Sequence, residues 1–472
     1  MYDTMMPEGD SYDLLEEDDY ETENHGDYVK TQTFWEILRY CIRPTVLDAY
    51  ANLLHLFLVC LIFRTVTQLV RVPSPFCHIV SSVCGFYIMF VFFHFSAFHT
   101  YGLVFASYFI MHFTVRTLGR CRGYTVSVII FSYLILCEFS LVPTETWERI
   151  RGPQMMTAMK IISFAFDLDN GLIKRPDVYQ YLGYCLCPSS NIFGPWISYN
   201  DYICAYDNDR WDYKWLKRIF ISFVKSVLWF ILSVCFLEWL IPNTSSLPWL
   251  VYRDAMLFRV GHYFVSYVSE TSALFGGFTK GVEVTRPLNI ELPHSLVEVV
   301  VCWNLPMHRW LKTYVFRKTQ AAGTFLAVMS TYVVSALLHG LNLRLEAVLL
   351  SLGIYTYVEH SLRSDLSEMF NACVSSKPCP TPCYKHKRTT NNLIVHSTNI
   401  MFTVLAMFHL AYLGVLIDIT DSKPVTLENA FEVWHNVDYV SHIVVAFTYL
   451  IHRIIRYSCT LLLPFTCAID RK

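Results

Sequence analysis

The chain predicts an all-α, polytopic membrane protein, and three observations carry that expectation. Hydrophobic residues make up 54% of its 472 positions and charged residues only 16%. Soluble chains carry about a quarter charged residues, so this one lacks the polar surface to dissolve. Several stretches reach the roughly 20 apolar residues that cross a bilayer. Such spans must satisfy their own backbone groups, which selects helices. The expected architecture is one helical body, residues 31–472, of roughly nine to eleven transmembrane helices plus re-entrant or interfacial ones. No nucleic-acid partner is expected.

The elements follow in order. Residues 1–30 hold eleven acids against one base, Lys30. The other residues then carry 28 acids and 36 bases, a net of +8. So acidic a head cannot bury a core and reads as a disordered tail. It has no basic segment followed by an apolar one, so it is not expected to be a signal peptide, and the first span directs insertion. Spans are expected near Tyr50–Phe63, Phe76–Phe98, Leu103–Val115 and Tyr124–Val142. A mixed region follows, with Met155–Phe166 and Val178–Ile197 apolar but the latter broken by Pro188, Gly194 and Pro195. Irregular backbone at membrane depth survives only where protein buries it or it lines a cavity. Phe193-Gly-Pro-Trp196 therefore points to a re-entrant element near an internal chamber. Ile219–Ile241, Met256–Phe275, Ala321–Leu343, Ala347–Leu362, Leu393–Ile417 and His442–Pro464 complete the set.

Loop charge sets the orientation. Bases cluster at Arg116–Arg122, Arg210–Arg218, Arg309–Lys318 and Arg363–Arg388, and again at Arg453 and Arg456. Between the last two clusters, Asp418–Asp438 holds five acids and one base, Lys423. Basic loops are thus expected on the cytoplasmic side and the acidic loop opposite. The sequon Asn243-Thr-Ser245 then falls on the lumenal side. Most of the sixteen cysteines lie in apolar spans (Cys60, Cys84, Cys137, Cys235) and read as small buried hydrophobes. Cys373, Cys379 and Cys383 lie near His386 in a basic loop. Zinc favours tighter C-x₂₋₄-C pairing, so free or lipidated thiols are expected there and no metal is assigned.

The chemistry centres on Tyr332-Val-Val-Ser335-Ala-Leu-Leu-His339-Gly340. An ionisable group in an apolar helix is costly to keep in a bilayer and is a functional candidate for that reason. Tyr332, Ser335 and His339 recur at helical spacing and share one face. A helix over Ala321–Leu343 would run roughly 33 Å at 1.5 Å per residue, with His339 in its lumenal half. Thirty-five positions upstream stands Trp303-Asn304-Leu-Pro306-Met307. A neutral imidazole within hydrogen-bond reach of a hydroxyl acts as a general base. An Asn carboxamide can hold a carbonyl oxygen as charge develops on it, without adding charge to a dry site. Other His residues also lie in apolar runs, among them His55, His78, His94, His112, His262, His409 and His442, and read as structural. The chain has no G-x-S-x-G, and direct attack by the acceptor hydroxyl is the simpler route. A proton-relay transporter is a second reading, but the internal symmetry transporters often show is absent.

Taken with Arg286-Pro-Leu-Asn-Ile-Glu-Leu-Pro-His-Ser-Leu-Val-Glu-Val-Val, Phe166-Asp-Leu-Asp-Asn-Gly171, Tyr357-Val-Glu-His360, Arg151-Gly-Pro-Gln-Met155 and Phe408-His-Leu-Ala-Tyr-Leu-Gly414, these motifs resemble the membrane-bound O-acyltransferase (MBOAT) family. The likeness runs from about residue 33 to 456, and within the family it points to the members that acylate Wnt proteins. It implies a tunnel through the helical body, with His339 and Asn304 as the signature catalytic pair. Trp303, Tyr314, Tyr332, Ser335 and Leu338 are implied to line the reaction chamber. Palmitoleoyl-CoA is the implied acyl donor, entering from the cytosol, and no other cofactor is implied. The implied acceptor is a serine of a Wnt hairpin, presented in the lumen of the endoplasmic reticulum. Arg309, Lys312, Arg317 and Lys318 are placed to attract the CoA phosphates or simply to obey the positive-inside rule. Within the family, a lipid alcohol or another secreted peptide is the alternative acceptor.

Overall fold

The computed structural model describes residues 33–69, 74–117, 121–205, 211–243, 245–380, 382–416 and 431–462. The acidic head 1–30, most of the acidic loop after Asp418 and Thr244 of the sequon lie outside the described residues. The chain folds as α1 (Arg43–Leu69), α2 (Ser74–Phe93), α3 (Ala97–Thr117), α4 (Arg122–Leu136) and α5 (Thr144–Asp169). Then come α6 (Val178–Cys185), α7 (Tyr213–Ile231), α8 (Leu247–Phe275), α9 (Leu296–Trp303) and α10 (Leu305–Leu311). The last four long helices are α11 (Thr324–His339), α12 (Leu343–Met369), α13 (Leu393–Val415) and α14 (Val440–Leu462). Among the described residues no strand forms, and one isolated bridge joins Ala372 to Arg388.

The protein is a multi-pass membrane protein. Among the described residues, five helical stretches are long and apolar enough to cross a bilayer: Phe34–Gln68, Ser74–His112, Arg122–Leu141, Tyr213–Leu240 and Leu393–Val415. That is fewer than the nine to eleven expected, for a physical reason. The long helices α5, α8 and α12 carry ionisable groups that face protein rather than lipid, so apolarity alone misses them. Lys160 of α5 is fully buried and donates to the carbonyls of Tyr184 and Cys185, both at 3.2 Å. On α8, Arg259 forms a two-pronged pair with Glu291 at 2.9 and 3.1 Å. Arg363 of α12, fully buried, pairs with Glu359 at 3.1 Å. Buried charge persists only when paired and hydrogen-bonded in this way.

Helix α5 sits at the centre, with sixteen buried residues from Trp147 to Asp167. Around it the broken region 178–197 is buried by protein, as its prolines and glycine required. Its irregular carbonyls find side-chain donors: Ser81 on Gly183 at 2.8 Å, Ser272 on Ser189 at 3.1 Å and Tyr184 on Ile197 at 2.9 Å. One cysteine expectation is corrected. Cys235 is no free apolar filler but is disulfide-bonded to Cys41. The two are 194 positions apart, so no local pattern could announce the pair. α7 leaves the basic run ending at Arg218, and Cys235 lies in the helical segment Leu232–Phe236 that continues it, so the bond lies on the face opposite the basic loops. Disulfides persist in oxidising compartments, which agrees with the orientation read from loop charge.

Candidate active site

His339 is the last residue of α11, not a residue inside a longer helix. α11 has 16 residues, about 24 Å at 1.5 Å per residue, less than the roughly 30 Å hydrocarbon core. The 22-residue helix expected from the apolar run is therefore corrected. Gly340 adopts φ +87° and ends the helix, a conformation glycine takes without steric penalty. The freed backbone is caught at once, because the N–H of Leu341 donates to both Glu138 oxygens at 2.8 and 2.7 Å. A Cβ added at Gly340 would stand 2.9 Å from Arg151 Cδ and 3.2 Å from Glu138. The partly buried imidazole thus stands at a helix break. It has no hydrogen-bond partner among the described residues, and Arg151 and His262 lie close enough to act on it electrostatically.

Asn304 sits at the junction of two short helices. It ends α9, and its Oδ1 accepts the N–H of Met307 at 3.0 Å, capping α10. Asn is a favoured cap and Pro a favoured first-turn residue, so Asn304-Leu-Pro306 starts the helix by itself. The junction is tied down by Leu305 N–H on the Val284 carbonyl at 2.8 Å and Arg286 N–H on the Cys302 carbonyl at 3.1 Å. With its oxygen committed to the cap, the carboxamide N–H₂ has no partner among the described residues and can donate. Trp303 stacks on His262 of α8 at 4.3 Å between centroids and 6° between planes. The Trp303 carbonyl accepts from His262 Nε2 at 2.9 Å. His262 is thus held against the Asn304 junction through Trp303. Sequence reading passed it over because an apolar helix bearing a histidine is common in this chain.

Tyr314 stands on the side of the basic loops, three residues before Arg317. Its hydroxyl donates to Asp167 at 2.9 and 3.1 Å, and Phe166 stacks on its ring. Beside it, Trp196 and Ile197 of the broken segment form one wall of a cavity of about 350 Å³. Lys280, Arg309, Lys312 and Arg317 line the same cavity. Lys318, grouped with these bases in the sequence, instead covers the Phe166 ring at 5.4 Å. Lys280 belongs to the set and no motif marked it. On α10, His308 is held below the ordinary imidazole range by burial and then by Lys312 and Lys377. The region is electropositive, as a polyphosphate requires. Arg151 near His339 and Asp167 near this cavity are sixteen positions apart on α5, about 24 Å.

The other predicted residues are less tightly gathered. Ser335 is buried one turn before His339, with no hydrogen bond between them. Leu338 is 2% exposed and belongs to the main apolar core. Tyr332 turns to α12, its hydroxyl 3.3 Å from Thr356 Oγ1 and its ring against Gly353, where a Cβ would come within 2.8 Å. Helical spacing fixed the face these residues share, whereas the neighbouring helix decided which of them packs.

The model of the membrane-bound O-acyltransferase family matches residues 86–364. The chain is 35% identical over 464 residues to the protein-serine O-palmitoleoyltransferase porcupine of Homo sapiens, covering 91% of this chain and 99% of that one. Its similarity to the Anopheles gambiae protein of the same name is 32% over 464 residues, covering 89% and 94%. Lysophospholipid acyltransferase 1 of Arabidopsis thaliana is similar at 23% over 269 residues, covering 45% and 58%.

Proposed function

Since the chain belongs to the membrane-bound O-acyltransferase family, we propose that it is the protein-serine O-acyltransferase that moves a palmitoleoyl group from palmitoleoyl-CoA to a serine of Wnt proteins in the endoplasmic reticulum membrane. CoA phosphates dock among Lys280, Arg309, Lys312 and Arg317, and the acyl-thioester arm runs inward past Trp303. A sixteen-carbon chain gains about 0.8 kcal/mol per buried methylene, so an apolar passage supplies donor affinity readily. His339 takes the serine proton as the hydroxyl oxygen attacks the thioester carbon. The Asn304 amide donates to the oxyanion that develops. The C–S bond then breaks, and the departing CoA thiolate takes the proton back from the imidazolium. Acceptor and donor arrive from opposite faces, which agrees with His339 in the half of the membrane away from the basic loops.

One observation carries the reading. An imidazole at a helix break and a basic cavity lie near opposite ends of the same buried helix, α5, and α10, which Asn304 caps and which bears Arg309, is tied to α5 between them by Trp310 Nε1 on the Met159 carbonyl at 2.9 Å. A long, thin, doubly anchored substrate fits that spacing. The test is transfer by purified protein in vesicles, using a clickable palmitoleoyl-CoA and a Wnt hairpin peptide. Label on the peptide, lost when its serine is changed to alanine, is the expected result. Label on lysophospholipid alone moves the acceptor to a lipid alcohol, and ion flux without label favours transport.

A further inference from the structure

The loop between α12 and α13 gathers Cys373, Cys379, Cys383 and His386, with one donor atom from each within 4.8 Å of all the others. His386 Nδ1 lies 3.6, 3.4 and 3.5 Å from the three sulfurs in that order. These contacts cannot all be hydrogen bonds, because one ring nitrogen makes only one. They do match the edges of a tetrahedron around zinc. Bonds of about 2.3 Å to sulfur and 2.05 Å to nitrogen give S···N edges of about 3.6 Å.

The surroundings fit a ligand set. Ser367 Oγ donates to the Ala372 carbonyl at 2.7 Å, so toward His386 Nε2, at 3.2 Å, it can only accept. That fixes the proton on Nε2 and leaves Nδ1 bare, the outer-shell arrangement of a metal-binding histidine. The strand-like pair Cys373 N–H to Arg388 carbonyl, 2.9 Å, closes the loop so that ligands come from both of its ends. Three thiolates on a divalent ion leave one negative charge, and the same loop carries Lys377, Lys385, Lys387 and Arg388.

We propose that Cys373, Cys379, Cys383 and His386 form a structural Zn²⁺ site on the cytoplasmic face. A Cys₃His tetrahedron selects zinc, and the cytoplasmic side keeps the thiols reduced. The spacing, C-x₅-C-x₃-C-x₂-H, explains why the sequence did not announce it. The site acts as a staple. Asn399 of α13 holds the Cys373 carbonyl at 3.1 Å, and Arg363 of α12 holds the Val374 carbonyl at 2.8 Å. Ser295, at the head of α9, holds the Ser376 carbonyl at 2.8 Å. Metal thus fixes the base of the helix that ends in Trp303 and Asn304.

Metal analysis of the full chain, purified reduced in detergent, tests this without reference to acyl transfer. The expected result is about one zinc per chain, kept by Cys121→Ser and lost by Cys379→Ser and Cys383→Ser. Wild-type protein exchanged into cobalt should show tetrahedral cobalt–thiolate absorption, which keeps the test valid if the variants misfold. Wild-type protein lacking bound zinc, with the three thiols alkylated freely in the folded state, overturns the proposal. So does zinc that survives both substitutions.

Discussion

At position 339 an imidazole ends a helix with no hydrogen bond among the described residues, and at position 304 a carboxamide has its oxygen tied to a helix cap. These are the two groups the proposed reaction uses, one to accept a proton and one to donate a hydrogen bond. Replacing His339 with Ala should lower turnover by about 10²–10⁴-fold, the usual contribution of general-base catalysis, while palmitoleoyl-CoA binding stays near wild type. Single-turnover labelling beside an equilibrium binding measurement checks this; unchanged turnover removes His339 from the mechanism. Asn304→Ser separates structure from chemistry. Serine caps a helix as well as asparagine does, so melting temperature should hold while kcat falls by about 10²–10³-fold with the oxyanion donor. Both residues were legible in the sequence because each is polar in an apolar setting. His262 was not. The rule that marks His339 marks many histidines, and only packing against Trp303 separates this one.

At the scale of elements, the decisive feature is where α11 stops. The apolar run continues past His339, but Gly340 at φ +87° breaks it and Glu138 takes the released N–H. Gly340→Ala forces an L residue into an extended positive-φ conformation that essentially only glycine occupies, at about 1–3 kcal/mol, and pushes its Cβ against Arg151. The imidazole next to it must move. Turnover should fall by about 10²-fold for a shift near 1 Å, with only a small loss of melting temperature. A large thermal shift with near-normal kcat per folded molecule would assign Gly340 to stability alone. The same scale explains Tyr332. Its period placed it on the His339 face, yet close approach at Gly353 lets α12 claim the ring.

For the whole molecule, orientation is the testable property. In sealed microsomes, trypsin added outside should cut the basic loop at Lys385 or Lys387, and Asn243 should carry a glycan sensitive to endoglycosidase. A protected loop with an unglycosylated Asn243 would invert the topology and put His339 on the cytosolic side. The sequence by itself determined the class of molecule, the alternation of basic and acidic loops and the polar residues that stand out against apolar helix. Composition, charge and period are local sums, and each constrains a segment without reference to its neighbours. Tertiary structure alone decided that Cys41 meets Cys235, that Lys280 joins the basic cavity, that His262 stacks on Trp303 and that three cysteines surround His386. The physical reason is that a helix period says which side chains share a face, whereas the partner across that face comes from chain tens to hundreds of positions away.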